Sequence, residues 1–263
     1  MELLTQRSLN TLVETSAYII KIADSLAEIE AALRLRFDVF NIEMKEGLQS
    51  SFETGFDSDV YDTFCDHIIV KERASGNIVG TYRLLRQDVA ERNIGFYSEG
   101  EFDLSRFKKI PGQSLELGRS CVAKEFRSIA VINLLWKGIA RYIELHSIDH
   151  LFGCASLHST KEREVAPAYF YLMHHHLAPK EYRVHPLVQH RMNFENCLPN
   201  ETELRGAFSS LPPLLKGYLR LGAVICGEPA RDLEFGTTDF LILLETGSIT
   251  ERYKSHYCKA QAA

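Results

Sequence analysis

No stretch of the 263 residues reaches the ~18 uninterrupted apolar residues of a membrane-spanning helix, so the chain is expected to work in water. Its start, MELLTQRSLN, lacks the charged-then-apolar layout of a secretory leader, and the expected compartment is the cytoplasm. Cysteine is sparse and scattered, at 65, 121, 154, 197, 226 and 258, with no Cys-x-x-Cys pair. That spacing excludes a zinc ribbon and a disulfide frame, and suits reduced thiols used as small core residues. A Gly-x-Ser-x-Gly elbow, a P-loop and a His-Glu-x-x-His helix are all missing, which removes the common hydrolase, ATPase and metalloprotease readings. Net charge is only -5, so no general affinity for nucleic acid is expected. There is no internal repeat, low-complexity stretch or Pro/Gly-rich linker, and one domain over residues 1–263 is the expectation.

What is present is an alternation of strand-like and helix-like segments. SAYIIKIAD (16–24) reads as a strand, and Ser25 with Glu28 caps a helix running to about Asn41 along the stripe Leu26, Ile29, Leu33, Phe37, Phe40. FCDHIIVKE (64–72) and NIVGTYRLL (77–85) read as a hairpin around Ala74-Ser75-Gly76. A strand over about 113–123 and a helix over 128–147 follow, then a strand at 150–157 and a helix at 161–177. LPPLLKGYLRLG predicts a short helix stopped by Gly222, with strands at 222–227 and 237–245 after it. The order predicts an α/β protein, a mixed central sheet flanked by helices.

Charges that interrupt apolar segments mark the candidate site. Arg36 lies on the apolar stripe of the first helix, where a guanidinium needs an acid. The loop GFDSDVYDTFCDH offers Asp57, Asp59, Asp62 and Asp66. As a calcium loop it fails, because Tyr61 and Asp62 occupy a ligand position and the turn-glycine position. Two readings remain open: a solvated acidic loop, or a carboxylate cluster that holds Arg36 and Arg83 or meets a cationic substrate. Arg83 itself interrupts the strand IVGTYRLL. In SLELGRSCV, Glu116 and Arg119 are three apart, so strict alternation sends them to opposite faces and only a bulge aims both at one cleft. The alternative is two unrelated strand charges paired elsewhere. His174-His175-His176 cannot converge on one metal from a helix, since successive residues fan out by about 100°, and no metal is assigned.

The segments RFDVF, DVYD, FCDHIIV, VGTYRLL, FYSEGEFDL, LELGRSCV, FGCASL and LPPLLKGYLRLGAVICGEPARDLEF resemble the bacterial L-ornithine N(alpha)-acyltransferases of ornithine lipid synthesis. These are similar to the acyl-homoserine lactone synthases within the GNAT superfamily, and the match is strongest over residues 16–246. The resemblance implies a GNAT-like acyltransferase fold whose sheet opens between the strands at 113–123 and 150–157. It implies transfer of a fatty acyl group, commonly 3-hydroxyacyl, from acyl carrier protein thioester to the α-amine of L-ornithine, giving a lyso-ornithine lipid. The enzyme alternative is another N-acyl amino acid synthase or a lactone synthase; the alternative of another class is a non-catalytic acyl-carrier-binding module.

By resemblance, Arg36 and Phe40 match the synthases' Arg-x-x-x-Phe, Asp59 and Asp62 their Asp-x-Tyr/Phe-Asp, Arg83 their strand arginine, and Glu116 with Arg119 their Glu-x-x-Arg. Two positions depart: Glu46 stands where the synthases carry tryptophan, and Arg127 is followed by Ala130 and Ile132 instead of the glycines of a coenzyme A cradle. An acyl carrier protein donor suits that loop better than acyl-coenzyme A, with no bound cofactor. Lys124, Arg127, Lys137 and Arg141 are the expected docking patch for the acidic carrier. Glu116 is the expected general base, Arg119 its orienter, and Arg36, Phe40, Asp59, Asp62 and Arg83 the acceptor site. A backbone N–H at the strand bulge is expected to polarise the thioester carbonyl, and Tyr169 or Tyr171 to protonate the thiolate. A lipid product implies peripheral contact with the inner membrane.

Overall fold

The structure, a computed structural model, describes residues 10–247, and the chain divides into two compact units, Met1–Ile94 with Leu117–Ser147 and Gly95–Glu116 with Ile148–Ala263. Cys258 lies outside the described residues; the five described cysteines are free thiols.

The first unit is built on antiparallel strands β1 (Thr11–Glu14), β2 (Tyr18–Ile22), β3 (Asp66–Glu72) and β4 (Ile78–Arg86), with β5 (Ser114–Val122) beside β4 through its C-terminal half. Helix α1 (Leu26–Phe37) follows β2, and α2 (Ile129–His146) follows β5. Ser25 caps α1 as expected, its hydroxyl accepting from Glu28 N at 3.3 Å. The α-helical pattern stops at Phe37, short of Asn41, and the chain continues as a π-helix, Asp38–Met44. Its last widened turn closes when Lys45 N donates to Phe40 O, which also accepts from Glu46 N at 2.9 Å, and buried Asn41 donates from Nδ2 to Leu48 O at 2.8 Å. A Cβ on Gly47 would lie 2.0 Å from Asn41 Oδ1, so this approach needs glycine. Such π segments are frequent at functional sites.

Alternation along β3 sorts its residues. Ile68 and Asp66 face α2, where Tyr142, fully buried, donates its hydroxyl to Asp66 Oδ2 at 2.6 Å. His67 and its cross-strand partner Arg83 point to the other face. Asp66 is therefore a packing partner of α2, apart from the other aspartates of its loop.

In the second unit, β6 (His150–Leu157) runs parallel to the start of β5, with register Ser114↔His150, Leu115↔Leu151 and Glu116↔Phe152, three residues of strands nine and eight residues long. Helix α3 (Glu162–His175), helix α4 (Glu201–Ser210) and helix α5 (Pro213–Leu221) follow, then β7 (Val224–Ile225), β8 (Ala230–Asp232) and β9 (Thr237–Glu245). Strand β9 is antiparallel to β6 along its length and to β7 and β8 on its other edge. Gly222 caps α5 at φ 102°, the left-handed stop expected of it. Buried Phe152 meets Phe96 edge-to-face at 4.8 Å and Phe107 at a tilt at 4.7 Å, and the three rings carry the core at β6. Parallel pairing of β5 with β6 beside antiparallel pairing of β6 with β9 makes the sheet mixed, in agreement with the α/β expectation.

Candidate active site

The first unit gathers three arginines and three aspartates. Arg36, fully buried on α1, donates from Nε to Asp57 Oδ1 at 2.7 Å and from its Nη atoms to Asp62 at 2.6 and 3.2 Å. Arg83 on β4 donates from Nη1 to both oxygens of Asp59 at 2.7 Å and to Asp62 Oδ1 at 3.3 Å. Arg119 stands 3.6 Å from Asp57 and 3.8 Å from Asp59, and is the most exposed of the three guanidinium groups at 12%. The ring of Phe40 lies 5.9 Å beneath Arg119, and Tyr61 lies 5.8 Å from Arg83. Local chemistry sets the loop: Asp59 caps the turn Val60–Thr63 by accepting from Tyr61 N, while Asp59 N donates to Asp62 Oδ2 at 2.8 Å. Of the two readings of the acidic loop, the carboxylate cluster is the one observed. Its charges are matched in number, which is what burial demands.

Electrostatics follow from the packing. Burial alone would raise the Asp62 carboxyl, but Arg36 and Arg83 hold it down at about 2. Burial works against the charge on Arg36 and Arg83, and the aspartates outweigh it and raise both. His67, buried 3.7 Å from Asp62, is lowered by burial and by the two arginines, and stays neutral near pH 7.

Arg119 has φ of 51°, a left-handed conformation unusual for a non-glycine residue inside a strand. This break in the pleat follows Gly118 and resolves the spacing of Glu116 and Arg119: regular alternation does not hold across residues 116–119. Arg119 joins the aspartates of the first unit. Glu116 belongs to the second, where its Oε1 accepts from Ser98 N at 2.8 Å and from Ser98 Oγ at 2.5 Å, and its Oε2 accepts from Tyr97 N at 2.7 Å.

A group of residues that the sequence reading did not single out surrounds this carboxylate. Ser98, fully buried, also meets Cys154 Sγ at 3.4 Å, and Cys154 donates to Glu101 Oε2 at 3.7 Å. Glu101, Cys154 and Asp239 place one polar atom each within 4.8 Å of one another. Burial, then Asp239 and Asp232, push the Glu101 carboxyl up to about 9. Asp239 had a usable signal, an acid inside the apolar strand TTDFLILLE, the same mark that exposed Glu116. Glu101 had none, since it sits in a polar segment, EGEFD.

The expected docking residues Lys124, Arg127, Lys137 and Arg141 are all exposed on or near α2. Arg127 is committed to Glu43 through two parallel hydrogen bonds at 2.5 and 2.6 Å, and Arg141 pairs with Glu144 one turn on. Tyr169 stacks on Phe194 at 4.1 Å, and Tyr171 packs on His175 and Phe208. The three histidines end α3, with His176 as its cap. No helix among the described residues is long and apolar enough to cross a membrane.

Residues 35–137 match the acetyltransferase (GNAT) domain model. An N-acyl amino acid synthase from uncultured soil microbes superposes with a TM-score of 0.51 at 12% identity, covering 95% of this chain and 99% of that one. The AHL synthase LasI superposes at 0.50 and 15% identity, covering 88% and 91%. Both likenesses are of fold, which the domain match identifies as the GNAT acyltransferase fold. The L-ornithine N(alpha)-acyltransferase of Brucella abortus (strain 2308) is 43% identical over 249 residues, 90% of this chain and 88% of the relative. That of Rhizobium meliloti (strain 1021) is 41% identical over 247 residues, 90% and 83%. Identity at this level, along nine-tenths of the chain, places the chain in the family of L-ornithine N(alpha)-acyltransferases.

Proposed function

We propose that this chain acylates the α-amine of L-ornithine with a fatty acyl group, commonly 3-hydroxyacyl, taken from acyl carrier protein, giving a lyso-ornithine lipid. The observation that carries the reading is the 43% identity to an L-ornithine N(alpha)-acyltransferase across nearly the whole of both chains. In the reaction a neutral amine attacks the thioester carbonyl. The new C–N bond replaces the C–S bond, one proton leaves the nitrogen, and the carrier departs as thiol.

Arg36 is committed to Asp57 and Asp62, so in this reading the three fix the shape of the acceptor site. Phe40, Asp59, Arg83 and Arg119 complete it, with Arg119 the arginine most open to a substrate carboxylate or acyl hydroxyl. Its left-handed backbone supports the assignment of a strand-break N–H to the thioester oxygen. Glu116 carries two duties: it anchors the turn Tyr97–Ser98 and is the candidate base. Lys124 and Lys137, with Arg127 and Arg141, are the proposed contact for the acidic carrier, and the lipid product implies passing contact with a membrane surface.

The test is reconstitution of the purified chain with 3-hydroxyacyl carrier protein, or the corresponding acyl-coenzyme A, and a panel of amino acids, read by mass spectrometry. N-acylornithine formed preferentially from the carrier-bound donor is the expected result. A product on another amino acid, a lactone, or no transfer at all overturns the reading.

A further inference from the structure

Strand pairing brings a set of polar side chains to one face of the second unit's sheet. Asp239 lies opposite Ser156, Cys154 opposite Leu241, and Thr237 opposite Asp232, so Cys154, Asp232, Thr237 and Asp239 share that face. Glu101 meets it through Cys154. Glu101 and Asp239 are each only 5% exposed, an arrangement that is costly for ionised carboxyls. Thr237, 4% exposed, has an Oγ1 without a hydrogen-bond partner among the described residues. A buried hydroxyl so placed is a waiting partner for a polar ligand.

We propose, building on the acyltransferase reading, that Glu101 and Asp239 seat the side-chain ammonium of the acceptor, so that the chain selects a diamino acid and leaves its distal nitrogen unacylated. The spacing suits it: oxygens up to 4.8 Å apart can both accept from one ammonium, whose N–H···O contacts run to about 2.8 Å. The chemistry also decides which nitrogen belongs there. Carboxylates stabilise the charged amine, and the reacting α-amine must become neutral, so this seat fits the nitrogen that stays charged and does not react.

Proton balance makes the proposal measurable. With the seat empty, burial and the neighbouring Asp239, Asp232 and Glu116 keep Glu101 protonated at neutral pH. When the ammonium enters, the Glu101 O–H bond breaks and its proton passes to the buffer. The carboxylate then pairs with an ammonium that retains its three N–H bonds.

Titration calorimetry at neutral pH in two buffers of different ionisation enthalpy counts released protons. Ornithine binding is expected to release about one proton per site, and norvaline, the same skeleton without the distal nitrogen, none. Glu101→Gln, which replaces a neutral carboxyl by an amide of like shape, abolishes the release and lowers kcat/KM for ornithine roughly 10- to 100-fold, with little change for norvaline. Asp239→Asn weakens ornithine without removing the Glu101 proton step. Absence of proton release in the parent protein, release with norvaline, or release that persists in Glu101→Gln overturns the assignment while leaving ornithine acylation intact. Failure to acylate any amino acid instead refutes the acyltransferase reading on which it rests.

Discussion

Replacing Glu116 by glutamine separates anchoring from proton transfer. Ser98 N and Oγ converge on Oε1, and Tyr97 N donates to Oε2 at 2.7 Å. Glutamine keeps one acceptor oxygen and turns the other position into a donor, so it presents N–H to N–H at Tyr97. One buried donor left unsatisfied costs about 1–3 kcal/mol. The two contacts to Ser98 survive but lose the charge that makes such bonds roughly twice as strong, about another 1 kcal/mol together. The sum, roughly 2–4 kcal/mol, corresponds to a fall in Tm of about 5–12 °C for a chain this size. Scanning calorimetry on the parent and Glu116→Gln, with acyl transfer assayed well below both transitions, tests it. Ser98→Ala is the control, since it removes one donor and leaves the carboxylate: it is expected to lose about 1 kcal/mol and keep most activity. A base role adds a loss of about 10²–10⁴ in kcat to Glu116→Gln and nothing comparable to Ser98→Ala. A variant that melts within about 2 °C of the parent refutes the anchoring argument, and one that turns over at the parent rate refutes the base.

Arg36→Met takes the hydrogen-bonded guanidinium from buried Asp57 and leaves Asp62 with Arg83 alone, and is expected to cost about 3–5 kcal/mol in urea unfolding; a loss under about 1 kcal/mol contradicts the ion cluster. Asp62 is held below its ordinary value, so its contribution is complete above about pH 4 and drains as pH falls from 3.8 to about 2. Asp62→Asn should flatten that limb of the stability curve measured by denaturant titration. Glu101 has the opposite sign: it stays protonated up to about 9 when folded and ionises near 4.5 when unfolded, so stability declines as pH rises between those values. Glu101→Gln should therefore gain Tm relative to the parent at pH 8 and not at pH 5; a gain equal at both pH values contradicts the cause assigned.

The fold was legible wherever one physical signal acted alone. Strands at 66–72, 78–86, 150–157 and 237–245 follow apolar patterning, α2 fills the span expected at 128–147, and α5 starts at its prolines and stops at Gly222. The π-helix was not, because its cause lies outside the helix pattern, in the closure of Phe40 O by Lys45 and Glu46 and of Asn41 by Leu48. Short strands such as Thr11–Glu14 and Ala230–Asp232 owe their existence to a neighbouring strand more than to their own composition. For the site, Arg36, Arg83, Glu116 and Arg119 were visible as charges inside apolar segments, and the structure gives each a partner of the kind that position requires.

Asp62 and Glu101 show why partners, and not residue type, decide what such a charge does. Both are buried carboxyls, and burial pushes both upward. Asp62 has two guanidinium groups within hydrogen-bond reach and ends at about 2, fixed as an anion across the working pH range and suited to holding structure. Glu101 has a thiol at hydrogen-bond distance and carboxyls around it, and ends at about 9, a group that a cation arriving in the site can switch. The first is satisfied by the protein itself. The second is satisfied by what binds, which is why proton release on ornithine binding, lost in Glu101→Gln, is the measurement that connects this fold to its choice of substrate.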